Sequence, residues 1–376
     1  METVKILKDL INFKTVNPPG EEYKVINYVK NLFEINKIKY KIFSKNKKRP
    51  NIVGYIGKGK PELLISCHSD TVPAGEGWKT NPFKAVIKGG RVYGRGTSDD
   101  KGPLACLIST AINIKKNENK LKGTFIMGVL VDEERGSDLG LKYLTNEKKI
   151  KPDYAILPDV AGSMKKITVA EKGVLWLELT SFGKQTHGST PQLGINAVYN
   201  LIEVLNLIRK YKFKYKKHKF LSKPTINLGQ IEGGVAPNMV PSKAKAIIDI
   251  RYLPSQTPNK ILNDIKALIK KARRKNKSIK IKIKIIEKAP ATEVFEDNKL
   301  VKTIQEVTKR ILKIKPKITG LSGATDTKAL IKKGIIAVGF SCGEDRMAHM
   351  ANESIKIKEL NDFTKVLTEI VKEFLS

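Results

Sequence analysis

The chain has 376 residues, 40% of them apolar, with 71 Lys and Arg against 37 Asp and Glu and a formal net charge of +34. That composition supports about one to three packed domains and excludes disordered, collagenous and solenoid proteins. Cys67, Cys106 and Cys342 are too scattered for a disulfide framework or a Cys-rich zinc site.

Helix-like apolar spacing covers residues 2–14 and 21–35, separated by Pro18-Pro19-Gly20. The first turns carry Glu2, Lys5, Lys8 and Asp9, not a signal-peptide core, so a cytoplasmic location is expected. Residues 63–67 (LLISC) read as a buried strand, 103–114 as a helix, 124–131 (TFIMGVLV) as a buried strand, 139–144 as a helix and 154–157 (YAIL) as a short strand. None of these apolar runs approaches the roughly 18 residues of a membrane span. The alternation of buried strands and helices predicts an α/β domain on a mostly parallel sheet.

From about residue 165 the pattern changes. Residues 167–180 alternate as strands do, a helix follows at 196–209, strands at 225–229 and 243–252, and a helix at 259–272. Residues 279–286 (IKIKIKII) alternate Ile and Lys, the pattern of a half-exposed edge strand. After Pro290 a helix at 298–312, a strand at 335–340 and a helix at 359–374 resume the first pattern. The expected organisation is a catalytic domain in two parts, 1–176 and 289–376, interrupted by an α+β domain at 177–288. That insert holds 24 basic and 6 acidic side chains. Nucleic-acid readers add arginine and interleaved aromatics, and aromatics are only 7% here, so nucleic acid is not expected. The positive field suits solvated lysines or, as an alternative, an acidic macromolecular partner.

The chemistry gathers at strand ends. Of four histidines, His68 follows the LLISC strand with Asp70 two residues on, and His349 follows the strand at 335–340 in a loop. Asp99 and Asp100 lie in a turn (GRGTSDDKGP) before a helix, Glu133 and Glu134 end the TFIMGVLV strand, and Asp159 ends YAIL. In a parallel sheet the carboxyl ends share one edge, so two imidazoles and several carboxylates converge there. Carboxylates crowded without a cation repel and resist burial. A divalent metal pair resolves that conflict, and imidazole with carboxylate suits zinc, with manganese or cobalt as alternatives.

Seven stretches carry a resemblance: CHSDTVPAGEGW (67–78), NPFKAVIKGGRVYGRGTSDDKG (81–102), VDEERG (131–136), GKQTHGSTPQLGINAV (183–198), IEGGVAPNMVPSKAKAIIDIR (231–251), SGATDTKAL (322–330) and AHMANESI (348–355). In this order and spacing the chain resembles the di-zinc amidohydrolase and metallopeptidase family of acetylornithine deacetylase, succinyl-diaminopimelate desuccinylase, aminoacylase, glutamate carboxypeptidase and related dipeptidases. The resemblance implies two metal ions per chain. His68 and Asp159 would bind the first, Glu134 and His349 the second, and Asp99 would bridge them. It also implies a cis peptide between Asp99 and Asp100. Asp70 would orient His68, and Glu133 would be the general base toward a metal-bridging water, the metals lying about 3.5–4 Å apart. His187, from the inserted domain, would stabilise the oxyanion, often across a dimer. Asn238, Arg251 and the 322–325 loop, through Gly323 and Thr325, would hold the substrate carboxylate.

The implied function is hydrolysis of an N-acyl amino acid by a homodimer joined through an insert that doubles as a lid. The turn reads DDKGP where many deacylases have Met after the bridging Asp. The ligand in PDV is Asp159 where deacetylases and desuccinylases commonly have Glu. Both departures resemble the dipeptidase branch, so a dipeptidase or carboxypeptidase is the alternative, as is a deacylase of an amino acid linked to an acidic carrier protein. His218, inside a Lys-rich run, is assigned no role.

Overall fold

The computed structural model describes residues 2–376, which form two compact units. The first runs through Val169 and adds Val294–Thr319 and Thr325–Ser376; the second comprises Ala170–Glu293 and Gly320–Ala324.

The first unit is built on a mixed sheet. Glu62–His68 lies between Thr124–Leu130 and Tyr154–Leu157, with Ile336–Gly339 beyond, and these four strands are parallel. Their side chains are buried almost throughout, as a sheet covered on both faces requires. Asn51–Gly57 and Lys39–Phe43 extend one flank antiparallel, and Lys166–Glu171 pairs antiparallel on the other. The sequence reading does not place the two flanking strands at 39–43 and 51–57. Lys39–Phe43 has no buried residue to mark it.

Helix Lys101–Lys115 buries thirteen of its fifteen residues, including Leu104, Leu107, Ile108 and Ile112, so it has no polar face and packs in the core. Glu2–Asn12 and Ile357–Leu375 pack against it. Lys299–Leu312, capped by the Asn298 side chain on Val301 N–H, packs against Ile357–Leu375. A small sheet of Val86–Lys88, Arg91–Tyr93 and Ser354–Lys356 also escapes the sequence reading, because three-residue strands carry no period.

In the second unit Thr225–Gly233, Lys243–Tyr252, Gly173–Phe182 and Lys280–Ala289 form a four-stranded antiparallel sheet in that order. Helices Ala197–Arg209 and Pro258–Lys275 cover one face, joining Leu201, Val204, Ile261 and Ile265 to Leu175, Leu177, Ile248 and Ile250. Asn196 and Thr257 cap the two helices. Lys280–Ala289 is an edge strand, and Ile281 and Ile283 pack inward while Lys280, Lys282 and Lys284 are exposed. The alternating run at 167–180 is not one element. It breaks at Lys172 into Lys166–Glu171 and Gly173–Phe182, which belong to different sheets. Among the described residues no helix is long and apolar enough to cross a membrane.

Candidate metal centre

Parallel strands deliver the site. His68 is the last residue of Glu62–His68, and Glu133 and Glu134 open a single turn just past Thr124–Leu130. Asp159 follows Tyr154–Leu157 by two residues. Asp100 is the N-cap of Lys101–Lys115, which puts Asp99 at the mouth of that helix. The turn before it folds tightly on the helix start: a Cβ at Gly102 would sit 2.0 Å from the Thr97 carbonyl oxygen. The Asp99–Asp100 peptide is cis.

Asp99 stands between the two imidazoles. One of its oxygens is 3.0 Å from His68 Nε2 and the other 3.1 Å from His349 Nε2. His349 Nε2 is also 3.3 Å from Glu134 Oε1. Two donor clusters result, His68–Asp99–Glu134 and His68–Glu133–Asp159, each with ligand atoms within 4.8 Å of one another. All five expected ligands and Glu133 therefore meet in one place within the first unit. His68 Nδ1 lies 3.0 Å from the Asp70 carbonyl oxygen and 3.5 Å from its carboxylate. The same carboxylate accepts Glu133 N–H at 3.2 Å and Glu134 N–H at 3.3 Å, so Asp70 ties the His68 ring to the Glu133–Glu134 turn.

The electrostatics show the strain of this crowding. Burial pushes the Glu133 carboxyl well above the usual range, and Asp326, Glu134 and Asp99 add to it against the pull of His68. Burial, then the charges of Glu133 and Asp99, does the same to Asp159. Burial also opposes ionisation of Asp99, but hydrogen bonds from His349 and His68 outweigh it and hold Asp99 below its ordinary value. Hydrogen bonds to Asp99 and Glu134 raise His349 to about 10. A divalent cation at this place would relieve the crowding of carboxylates. Two imidazoles with Asp99, Glu133, Glu134 and Asp159, and no thiolate in either cluster, fit zinc or a similar borderline cation.

Several residues behind the site make links that the sequence does not show. Asn17, just before Pro18-Pro19-Gly20, donates from Nδ2 to Asp70 at 2.8 Å. Arg49, buried, pairs with Glu22 and with Asp132, and its Nη2 comes within 4.0 Å of the Asp70 carboxylate. Asp326 accepts the Ser137 hydroxyl beside the Glu133 turn, and burial raises it to about 6. Asp100 accepts the His68 backbone N–H at 3.2 Å. Each of these hydrogen bonds spans at least 27 positions in sequence, and only the tertiary fold reveals it.

The remaining expected residues lie elsewhere. In the second unit His187 bridges to Met239, and Gly188 N–H donates to the Asn238 carbonyl at 2.7 Å, so His187 and Asn238 are neighbours. Ser189 N–H donates to His187 Nδ1 at 3.1 Å, which leaves the ring proton on Nε2. Arg251 already forks onto Asp249, at 2.9 Å from Nε and 3.0 Å from Nη2. Gly323 belongs to the second unit and Thr325 to the first, where Thr325 meets the Thr327 hydroxyl at 2.9 Å. The residues expected to hold a substrate carboxylate are therefore divided between the units. His218 has a local role: its Nδ1 accepts Phe220 and Leu221 N–H and its Nε2 meets Glu293 at 2.9 Å.

The model of peptidase family M20/M25/M40 matches residues 64–373. The chain belongs to that family. It is thereby a metal-dependent hydrolase of C–N amide bonds, in the family that its motifs resemble. It is 34% identical to an uncharacterized metallohydrolase of Methanocaldococcus jannaschii, across 99% of each chain. It is 29% identical to a probable succinyl-diaminopimelate desuccinylase of Staphylococcus aureus, across 99% of this chain and 98% of the relative. Its fold is similar to that of an M20 family metallo-carboxypeptidase from Sulfolobus solfataricus, with a TM-score of 0.82 at 23% identity over 99% of each chain.

Proposed function

We propose that the protein hydrolyses the amide bond of an N-acyl amino acid, with Glu133 as the general base. The observation that carries this reading is the Asp99 carboxylate shared by His68 and His349, with Glu133 and Asp159 clustered on His68. His68 and Asp159 would hold one divalent ion and Glu134 and His349 a second, with Asp99 serving both; zinc is the assignment, cobalt or manganese the alternatives. A bound pair supplies an acidified water and a polarised scissile carbonyl.

The chain's own residues do the rest. Glu133, held at the site by Asp70 through its backbone N–H, takes the proton of the attacking water and returns it to the leaving amine. Asp70 fixes the proton of His68 on Nδ1, leaving Nε2 as the donor atom. His187, with its proton on Nε2, is suited to donate to the developing oxyanion. Asn238, Gly323, Thr325 and the edge of Arg251 not engaged by Asp249 would receive the substrate carboxylate. The second unit would act as the lid that delivers His187 and as the contact of a homodimer. In support of the dimer, the edge strand Thr225–Gly233 exposes Leu228 and Ile231 beside Ile202, and these line one apolar groove. A cytoplasmic location completes the reading.

The residues of DDKGP and PDV favour a second reading, a dipeptidase or carboxypeptidase at the same centre. The basic second unit supports a deacylase whose amino acid is linked to an acidic carrier. A panel of N-acetyl, N-succinyl, N-glutamyl and dipeptide substrates, assayed with Zn²⁺, Co²⁺ and Mn²⁺, decides. Preferred turnover of an N-acyl amino acid is the expected result, and turnover confined to dipeptides would reject the first reading.

A further inference from the structure

The ligands Asp99 and His349 lie on loops 250 residues apart, and a buried ion pair joins those loops. Glu353 is fully buried and Arg95 is 1% exposed. One Glu353 oxygen accepts Ser98 N–H at 2.7 Å and Asp99 N–H at 3.1 Å. The other accepts Gly96 N–H at 3.0 Å and Arg95 Nη1 at 2.7 Å. The carboxylate thus grips the backbone of the Asp99 turn from a residue four positions beyond His349.

Arg95 completes the grip. Nη1 donates to the Met350 carbonyl at 3.1 Å, and Nη2 to the His349 carbonyl at 3.4 Å. His349 has a φ of 65°, in the left-handed region, so its turn needs such support. Nη2 also donates to the Pro73 and Ala74 carbonyls at 3.2 and 2.9 Å, in the loop that leaves His68 and Asp70. Trp78 lies over the guanidinium at 5.2 Å and donates its indole N–H to the same Ala74 carbonyl. Three ligand-bearing loops are therefore fastened to one pair that touches neither cluster of donor atoms.

We propose that Arg95 and Glu353 are positioning residues that set the spacing of Asp99 and His349 for metal. The proposal rests on the metal-centre reading. The fork of Arg95 reaches several carbonyls at once, which a lysine cannot do. Glutamine at 353 would place its amide NH₂ against one of the two pairs of N–H donors, whichever way it turned.

The test is a Co²⁺ titration of metal-depleted Glu353→Gln, read by the visible spectrum, with zinc competition and thermal unfolding alongside. The expected result is a folded protein whose metal affinity falls about 10- to 100-fold, with an altered cobalt spectrum. A pair that only cements the fold would lower the melting temperature and leave affinity and spectrum unchanged. That outcome overturns the proposal. Arg95→Lys serves if Glu353→Gln does not fold: weaker cobalt binding supports the proposal, and wild-type binding refutes it. Failure of both variants to fold would also count against it, since the pair would then be a folding element. Wild-type protein that shows no cobalt signal would refute the metal-centre reading, and the proposal with it.

Discussion

In the first unit His68, Asp70, Asp100, Arg95 and Glu353 are shut away from solvent, and each is tied to at least one segment distant in sequence. In the second unit His187 and Asn238 are exposed on adjoining loops, and Arg251 leans on an Asp249 two residues away. The first arrangement fixes charge at a point before any substrate arrives, as preorganised electrostatics requires. The second holds its groups at the surface by contacts made within that unit. Substitutions in the two regions should therefore fail in different ways: the first through metal or proton transfer, the second through turnover alone.

The sharpest contrast comes from Glu133→Gln. It would remove the proposed proton acceptor and keep both imidazoles and three carboxylates, so turnover should fall by about three orders of magnitude or more while metal content stays near normal. Retention of a tenth of wild-type activity would show that Glu133 is not the base. His187→Ala should cost about 10²- to 10³-fold in turnover, the effect of one lost oxyanion donor, and leave metal affinity unchanged. A loss of metal with His187→Ala would erase the distinction between the units.

A smaller effect is set by protons. His349 is raised to about 10 by Asp99 and Glu134, against an ordinary 6.5. Metal must displace that proton, so apparent affinity should rise with pH below 10, about tenfold per unit for each proton displaced. The sign for stability is opposite. The ion pairs of His349 stabilise the metal-free protein fully below about 6.5, and this contribution is lost as pH rises through 10. Comparing thermal unfolding of metal-free wild type and His349→Ala at pH 6 and pH 10 isolates it: the gap should close at the higher pH.

Much of the first region is legible in the sequence because several of its residues end or closely follow a buried apolar run, as His68 ends its strand and Asp159 follows YAIL. The helices are legible too, since their apolar periods are long. Other features leave no local trace. Lys172 divides one alternating run between two sheets, because alternation reports strand geometry and not strand partners. The strand at 39–43 alternates weakly at an exposed edge. Glu353 is one more acidic residue after His349 until the fold brings it to the Asp99 turn, 254 positions away.

The central claim is that two ions, held by His68, Asp99, Glu134, Asp159 and His349, work together in one hydrolytic site. Zinc titration of the metal-depleted protein, with hydrolysis read at each added equivalent, tests it most directly. Full activity should need two ions per chain, and Asp99→Ala should weaken both binding steps. Full activity with one ion per chain, or hydrolysis by the metal-free protein, would contradict it.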